Sequence, residues 1–280
     1  MTIDQAGVRD GRAIGIAIAW ILAATLSACA TSTMTSPPPP AVVTDLAPTG
    51  KLRAAINFGN PILATKDAAT GEARGVSVDL SRELAKRLGI PVELVTFAAA
   101  GKVVEGLKAG TWDVAYVAID PARAVDMDYT APYVQIEGAY LVPQSSPIRN
   151  NADVDREGMR VVVGAGSAYD LYLSRELKHA TIVRAPTSPA VTDLMAAQSY
   201  EVAAGVKQQL EADAKRVPGV RLVPGRFMVI NQAMAMPKGR AAGARYLSEF
   251  VEEMKASGFV ASALARQGIE GAVVAPPGKP

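Results

Sequence analysis

From Gly50 to about Gln267 the chain alternates between short β-branched or apolar runs and longer segments with helical spacing. This alternation is the strongest constraint on the fold. A strand that is followed by a helix and then another strand can return beside the first only through a parallel sheet, so the pattern predicts α/β structure. Leu52–Asn57 reads as the first strand. Ser77–Leu88 reads as a helix, because Leu80, Leu84 and Leu88 share a face, Ser77 is a candidate cap and Gly89 a candidate terminator. Strands at Pro91–Phe97 and Trp112–Ile119 flank a short helix at Lys102–Lys108, and Ala139–Val142 reads as a further strand. After a polar connector at Gln144–Asn151 the alternation resumes. Arg160–Val163, Thr181–Val183 and Glu201–Ala204 read as strands, and Ala168–Lys178, Pro189–Ala197 and Lys207–Lys215 as helices. Strands at Val220–Val223 and Phe227–Met236 precede closing helices at Ala241–Ala256 and Val260–Gln267.

The segment before this body has a different character. Arg9 and Arg12 precede the apolar run Ala13–Thr25, which is short for a membrane span and reads as a signal peptide over residues 1–28. An uncleaved anchor helix is the alternative. The run ends in Leu26-Ser27-Ala28-Cys29, which resembles a bacterial lipobox, and Cys29 is the only cysteine of the chain. The resemblance implies cleavage before Cys29 and a diacylglycerol on its thiol. Ala30 at the following position implies no inner-membrane retention signal. Residues 29–49, with Pro37–Pro40, read as an extended tether. Residues 268–280 read as a disordered tail. The expected plan is a periplasmic body held at a membrane by lipid.

Composition narrows the chemistry. A net charge of +2 is too balanced for nucleic acid binding. One Cys and one His exclude a disulfide within the chain and most thiolate or imidazole metal centres, so no metal or cofactor is expected. His179 follows Lys178 at an expected helix end, where a cation is favoured in any case, so a Ser-His-Asp triad is not expected.

The stretch Val161-Val162-Val163-Gly164-Ala165-Gly166-Ser167-Ala168-Tyr169-Asp170 enters a glycine-rich turn before a helix. Such a turn can cradle an anion on backbone N–H groups. A dinucleotide fingerprint would need a glycine at 169, where this chain has Tyr169.

The order of motifs resembles the bacterial extracellular solute-binding proteins of family 3. The matching segments are Gly50–Asn57, Gly75–Gly89, Val104–Asp113, Ala118–Arg123, Tyr129–Tyr133, Val163–Ser167 and Glu249–Gly258. The resemblance implies a type II periplasmic binding protein fold: two α/β lobes joined by two β-crossovers, with ligand between them. The crossovers are expected near Tyr140–Val142 and Gln232–Met236. Lobe one would then be 50–141 plus 235–267, and lobe two 142–234. The implied function is the binding component of an ABC importer, acting as a monomer and delivering a small carboxylate-bearing solute to a membrane permease.

The resemblance also assigns candidate ligand contacts. Arg123 matches the arginine that pairs with a ligand carboxylate, a role suited to a bidentate guanidinium. Gly166 and Ser167 belong to the lobe-two turn that would supply further donors, although Ser167 would cap its helix without any ligand. Phe58, with Asn57 or Asn60, lies in the first loop after a strand and could meet the rest of the ligand. Tyr133 and Tyr169 are weaker candidates, read as structural. Three positions depart from the family: Ala118 stands for a serine, Asp120 for a threonine, and Val206 for the acid that holds a ligand ammonium, with Lys207 beside it. These departures suggest an organic anion in place of a zwitterion, with Lys207 as a second cation. Two alternatives remain open: an enzyme resembling cyclohexadienyl dehydratases, using Asp120 or Glu137 as an acid, and a ligand sensor. No catalytic residue is expected under the binding reading.

Overall fold

The computed structural model describes residues 37–278. The signal peptide, Cys29 and the tether up to residue 36 lie outside the described residues. In chain order the elements begin with α1 (Pro40–Leu46), β1 (Leu52–Asn57), the hairpin β2 (Thr65–Lys66) and β3 (Ala73–Arg74), and α2 (Val76–Leu88). β4 (Val92–Phe97), α3 (Ala100–Lys108), β5 (Val114–Ala118) and the long β6 (Met127–Pro143) follow. Then come β7 (Arg160–Gly164), α4 (Ala168–Glu176), β8 (Thr181–Ala185), α5 (Val191–Ala197), β9 (Val202–Val206) and α6 (Lys207–Arg216). The chain closes with β10 (Val220–Leu222), β11 (Met228–Pro237), α7 (Ala241–Ala256), α8 (Phe259–Arg266) and β12 (Val273–Val274).

The larger sheet runs in the order β4-β1-β5-β11-β6-β9-β7-β8. β1 pairs in parallel with β4 and β5, and β7 in parallel with β8 and β9. Between these parallel groups lie β11 and β6, each antiparallel to its neighbours. The parallel groups are the cores of two α/β lobes, and β6 and β11 pass from one to the other. Helix α2 shows why the local sequence folds as it does. Val76, Leu80, Leu84 and Leu88 are buried on one face, and Gly89 ends the helix at φ 67°. Ser77 is not its cap; that position is Gly75, and the Ser77 N–H donates to Leu63 O at 3.2 Å.

The crossovers lie earlier than the sequence suggests. β11 pairs with β5 only from Gln232 onward, and β6 pairs with β9 only from Gly138 onward. The transfer therefore occupies about 135–138 in β6 and 228–232 in β11. There the Gln135 side chain donates to Asn231 Oδ1 at 2.8 Å. Only the last third of β6 reads clearly as a strand in the sequence, because Pro132 and the polar residues before Gly138 blur its alternation.

Two segments expected to lack structure are packed. The expected tether over 29–49 ends earlier, because α1 forms at residue 40. Pro40 occupies its first turn, where no N–H is needed, and Val42, Leu46 and Ala47 are buried. The Asp45 carboxylate accepts the Gly243 N–H at 2.9 Å, within the first turn of α7. The expected disordered tail over 268–280 contains β12, which pairs with Val134 and Gln135 of β6. Ala275 is buried and donates to Tyr133 O at 3.1 Å. This strand covers an edge of β6 that would otherwise present unpaired backbone groups. No helix among the described residues is long and apolar enough to cross a membrane.

The docking of α1 predicts that Leu46→Ala, at a fully buried position, lowers unfolding free energy by about 2–5 kcal/mol. Urea denaturation checks this, and a free tether would give no change.

Candidate functional site

β5 ends at Ala118, and the chain turns sharply through Asp120. The Asp120 carboxylate accepts the Ala122 N–H at 2.9 Å, and its carbonyl accepts the N–H groups of Arg123 and Ala124 at 3.1 and 3.0 Å. This turn folds Arg123 back beneath the end of β5. Its guanidinium donates from Nη1 to Ala118 O at 2.9 Å and from Nη2 to Gly166 O of lobe two at 2.8 Å. Arg123 is only 4% exposed, and its Nε has no partner. Burial draws its pKa down from the usual guanidinium range, opposed by Tyr129 and Asp120. An arginine still keeps its proton in such a setting. The result is a buried cation held by two carbonyl oxygens and by no carboxylate among the described residues.

The glycine-rich turn of lobe two meets Arg123 with the opposite polarity from that expected. The Ala165 N–H donates to Ala185 O and the Ser167 N–H to Gly164 O. The Gly166 N–H donates to Asp170 Oδ2 at 2.8 Å. All three are spent inside lobe two, and the carbonyl of Gly166 faces Arg123. Asp170 fills the role of the anion; it sits in the first turn of α4, where the helix dipole favours a carboxylate, and also pairs with Arg184 at 3.0 Å. Ser167 is the cap of α4, its Oγ accepting the Asp170 N–H at 3.0 Å. The N–H groups of Ala168 and Tyr169 in the same first turn have no acceptor among the described residues.

Between the lobes lies a cavity of about 30 Å³, to which Asn57, Ala118, Arg123, Ser167, Val206 and Gln232 contribute. A second space of about 10 Å³ shares Asn60, Tyr169, Ser188 and Val206 with the first and reaches Gln209. The jaws meet backbone to backbone. A Cβ placed on Gly166 would lie 2.8 Å from Gly101 Cα, across the lobes, and Gly166 already sits at φ 67°. A further buried polar atom, Asn60 Oδ1, lacks a partner here, and the Tyr169 hydroxyl lies beside Ser188. Burial raises the Tyr169 pKa, so its phenol stays neutral.

The structure thus brings together Asn57, Ala118, Arg123, Gly166 and Ser167 of the expected site. The Asn57 Oδ1 is held by the Gly59 N–H at 2.9 Å. Phe58 is not in the cavity lining; it packs on the lobe-one core with Lys66 Nζ 5.3 Å from its ring centre. Asp120 is outside too, because its Oδ2 accepts from Arg175 of α4 at 2.9 Å and so bridges the lobes at the side of the cleft. Lys207 belongs to an ion pair with Glu137 Oε2 at 3.0 Å, where Glu137 also holds Arg226 at 2.6 Å. The residue that enters the cavity is Val206, at the end of β9, while Lys207 begins α6. Neither acid named for an enzymatic reading, Asp120 or Glu137, lines the cavity. Of the remaining lining residues, Tyr169 is in the sequence only a weaker candidate, read as structural, and Ser188 and Gln232 have no ligand role there. Gln232 carries a visible signal, an amide that with Asn231 interrupts an otherwise apolar strand; Tyr169 looks like core.

The profile of the bacterial extracellular solute-binding proteins, family 3, matches residues 52–266. No curated protein sequence matches. Among solved structures, the solute receptor for L-cysteine of Neisseria gonorrhoeae superposes with a TM-score of 0.70 at 23% identity, covering 81% of this chain and 93% of its own. A binding component of an ABC transporter from Wolinella succinogenes, complexed with lysine, gives 0.67 at 20% identity, covering 78% and 95%. An ancestral amino acid-binding protein, a precursor of cyclohexadienyl dehydratase, gives 0.68 at 20% identity, covering 80% and 98%.

Two outcomes follow from the ionic contacts. Arg175→Ala removes the bridge from the partly exposed Arg175 to the buried Asp120, worth about 1 kcal/mol, and should favour separated lobes roughly fivefold. Small-angle X-ray scattering should then show a larger radius of gyration. Glu137 lies below its ordinary pKa of 4.5, first through its hydrogen bond with Arg226 and then that with Lys207. A carboxylate depressed in the folded state stabilises fully above its unfolded value and loses that contribution as pH falls through the folded one. Urea midpoints should therefore decline below 4.5, and less steeply in Glu137→Gln.

Proposed function

Because the chain belongs to the bacterial extracellular solute-binding proteins of family 3, we propose that it captures a small carboxylate-bearing solute between its lobes for an ABC importer. The observation that carries this reading is Arg123: a buried cation at the cavity wall, with an unpartnered Nε and no carboxylate of its own. A charge removed from water is costly unless an opposite charge meets it, so the position favours an anionic guest. The relatives complexed with lysine or receiving L-cysteine bind solutes that carry a carboxylate.

Capture proceeds by hinge motion about β6 and β11. When the lobes part, Gly166 O leaves Nη2, and the Nη2–Nε edge of Arg123 presents two parallel donors to a carboxylate. On closing, the amides of Ala168 and Tyr169 supply donors from lobe two at the start of α4. Asn57 offers a neutral contact near the first strand. Exclusion of water strengthens each of these interactions. The closed form is what a permease in the inner membrane would receive. A lipid on Cys29 would hold the body at the envelope, since the residues between Cys29 and Pro37 span at most about 30 Å when extended.

Calorimetric titration with a panel of carboxylates tests the reading. Arg123→Ala should weaken binding of the accepted ligand roughly a hundredfold, the loss of about 3 kcal/mol from charge-assisted bonds. Arg123→Lys should restore only part of it, because an ammonium cannot present two fixed parallel donors. Unchanged affinity in Arg123→Ala would refute the assignment.

A further inference from the structure

We infer that the solute bears a carboxylate with a neutral group beside it, as in a 2-hydroxy acid, a 2-oxo acid or an N-acylated amino acid, and carries no free ammonium. The inference rests on the reading in which Arg123 takes a carboxylate.

Charge is the first argument. Across both adjoining cavities Arg123 is the only charged residue in the lining. A zwitterion would bring a second cation into a closed space that already holds one. Its ammonium would lose water without gaining an anion, at several kcal/mol.

The acids around the cleft cannot supply that anion, because each is engaged elsewhere. Asp120 accepts from Ala122 and Arg175. Asp170 accepts from Gly166, Ser174 and Arg184. Glu137 holds Lys207 and Arg226. Asp213 accepts from Thr192, Gln209 and Arg216. None of the four lines either cavity. The wall common to both cavities is instead Val206, an apolar side chain at 9% exposure.

The second argument is what that common wall does offer. Asn60, Tyr169 and Ser188 lie on it; Asn60 is 9% exposed and its Oδ1 is buried without a partner, while the neutral Tyr169 phenol lies beside the Ser188 hydroxyl. An amide and a neutral phenol match a hydroxyl, a keto oxygen or an acylated nitrogen. Neither neutralises an ammonium. A buried polar atom left unmatched is destabilising, so the Asn60 oxygen, with the neutral phenol and hydroxyl beside it, favours a ligand with neutral hydrogen-bonding capacity at that point.

The test is calorimetry on the full chain with matched sets that differ only at the α-position. Suitable sets are L-alanine, L-lactate, pyruvate and N-acetyl-L-alanine, with the corresponding glutamate and phenylalanine series. The expected result is that, in at least one series, a member with a neutral α-group binds at least about tenfold tighter than the amino acid, a difference lost in Arg123→Ala. Val206→Asp, which places an anion on the common wall, should shift the preference toward the amino acid. The wild-type comparison stands by itself if that variant does not fold. Arg123-dependent binding in which the amino acid is equal or tighter in every series overturns this inference and leaves the carboxylate reading intact. Absence of binding throughout, or binding indifferent to Arg123→Ala, overturns the carboxylate reading on which it rests.

Discussion

The arrangement between the lobes depends on one buried cation. Arg123 reaches from the end of β5 to the first turn of lobe two, and its partners on both sides are backbone carbonyls. Carbonyl dipoles solvate a guanidinium in part, but they do not cancel its charge. The turn at Asp120 fixes the origin of the side chain, and the inward-facing Gly166 carbonyl fixes its far end. Asp170 matters for the same reason. By taking the Gly166 N–H, it orients that peptide so that the oxygen, not the hydrogen, faces Arg123. The two sides of the cavity thus differ, one presenting a charge and the other a backbone dipole.

Much of this was legible in the sequence, because periodicity reports burial and burial decides most elements. The alternation from Gly50 gave the parallel groups, and Gly89 ended its helix as a left-handed terminator should. The position of Arg123 just past the end of β5 was legible from the turn and motif around it. Elements held by tertiary contact were harder to see. α1 and β12 are short and weakly patterned; one is ordered by packing on α7 and the other by an open edge of β6. The polarity of the lobe-two turn was hidden because its outcome depends on which acceptor takes each N–H. Asp170 sits in the quoted stretch, yet nothing in the linear text shows that it folds back onto Gly166. Lys207 misled for a related reason. It is adjacent to a cavity residue in sequence, but the chain passes from strand to helix between Val206 and Lys207, and the two side chains part.

The two lobes share one continuous sheet, and this gives the cleft a defined pivot. Strands β6 and β11 lie between the two parallel groups, β11 paired with β5 and β6 with β9, and they are tied to each other by the Gln135–Asn231 side-chain bond. Motion about such a pair changes strand twist over a few residues while most of the ladder persists. The glycine contact between positions 101 and 166 sets the limit of approach, since neither side carries a Cβ to hold the backbones apart. Closure is therefore bounded at one end by pleated strands and at the other by bare peptide.

The C-terminal strand adds a mechanical consequence. β12 lies on β6 at Val134 and Gln135, beside the pivot, and Gly271 just before it approaches Gln208 of lobe two. β12 is therefore near the axis of the proposed rotation, where a rigid-body swing produces the least displacement. A fluorophore attached there would travel little as the lobes close. Dyes on α3 and α4, at the rim of the cleft, would sample most of the stroke. For a ligand-reporting optical sensor built on this scaffold, β12 suits immobilisation and the rim suits the dye pair.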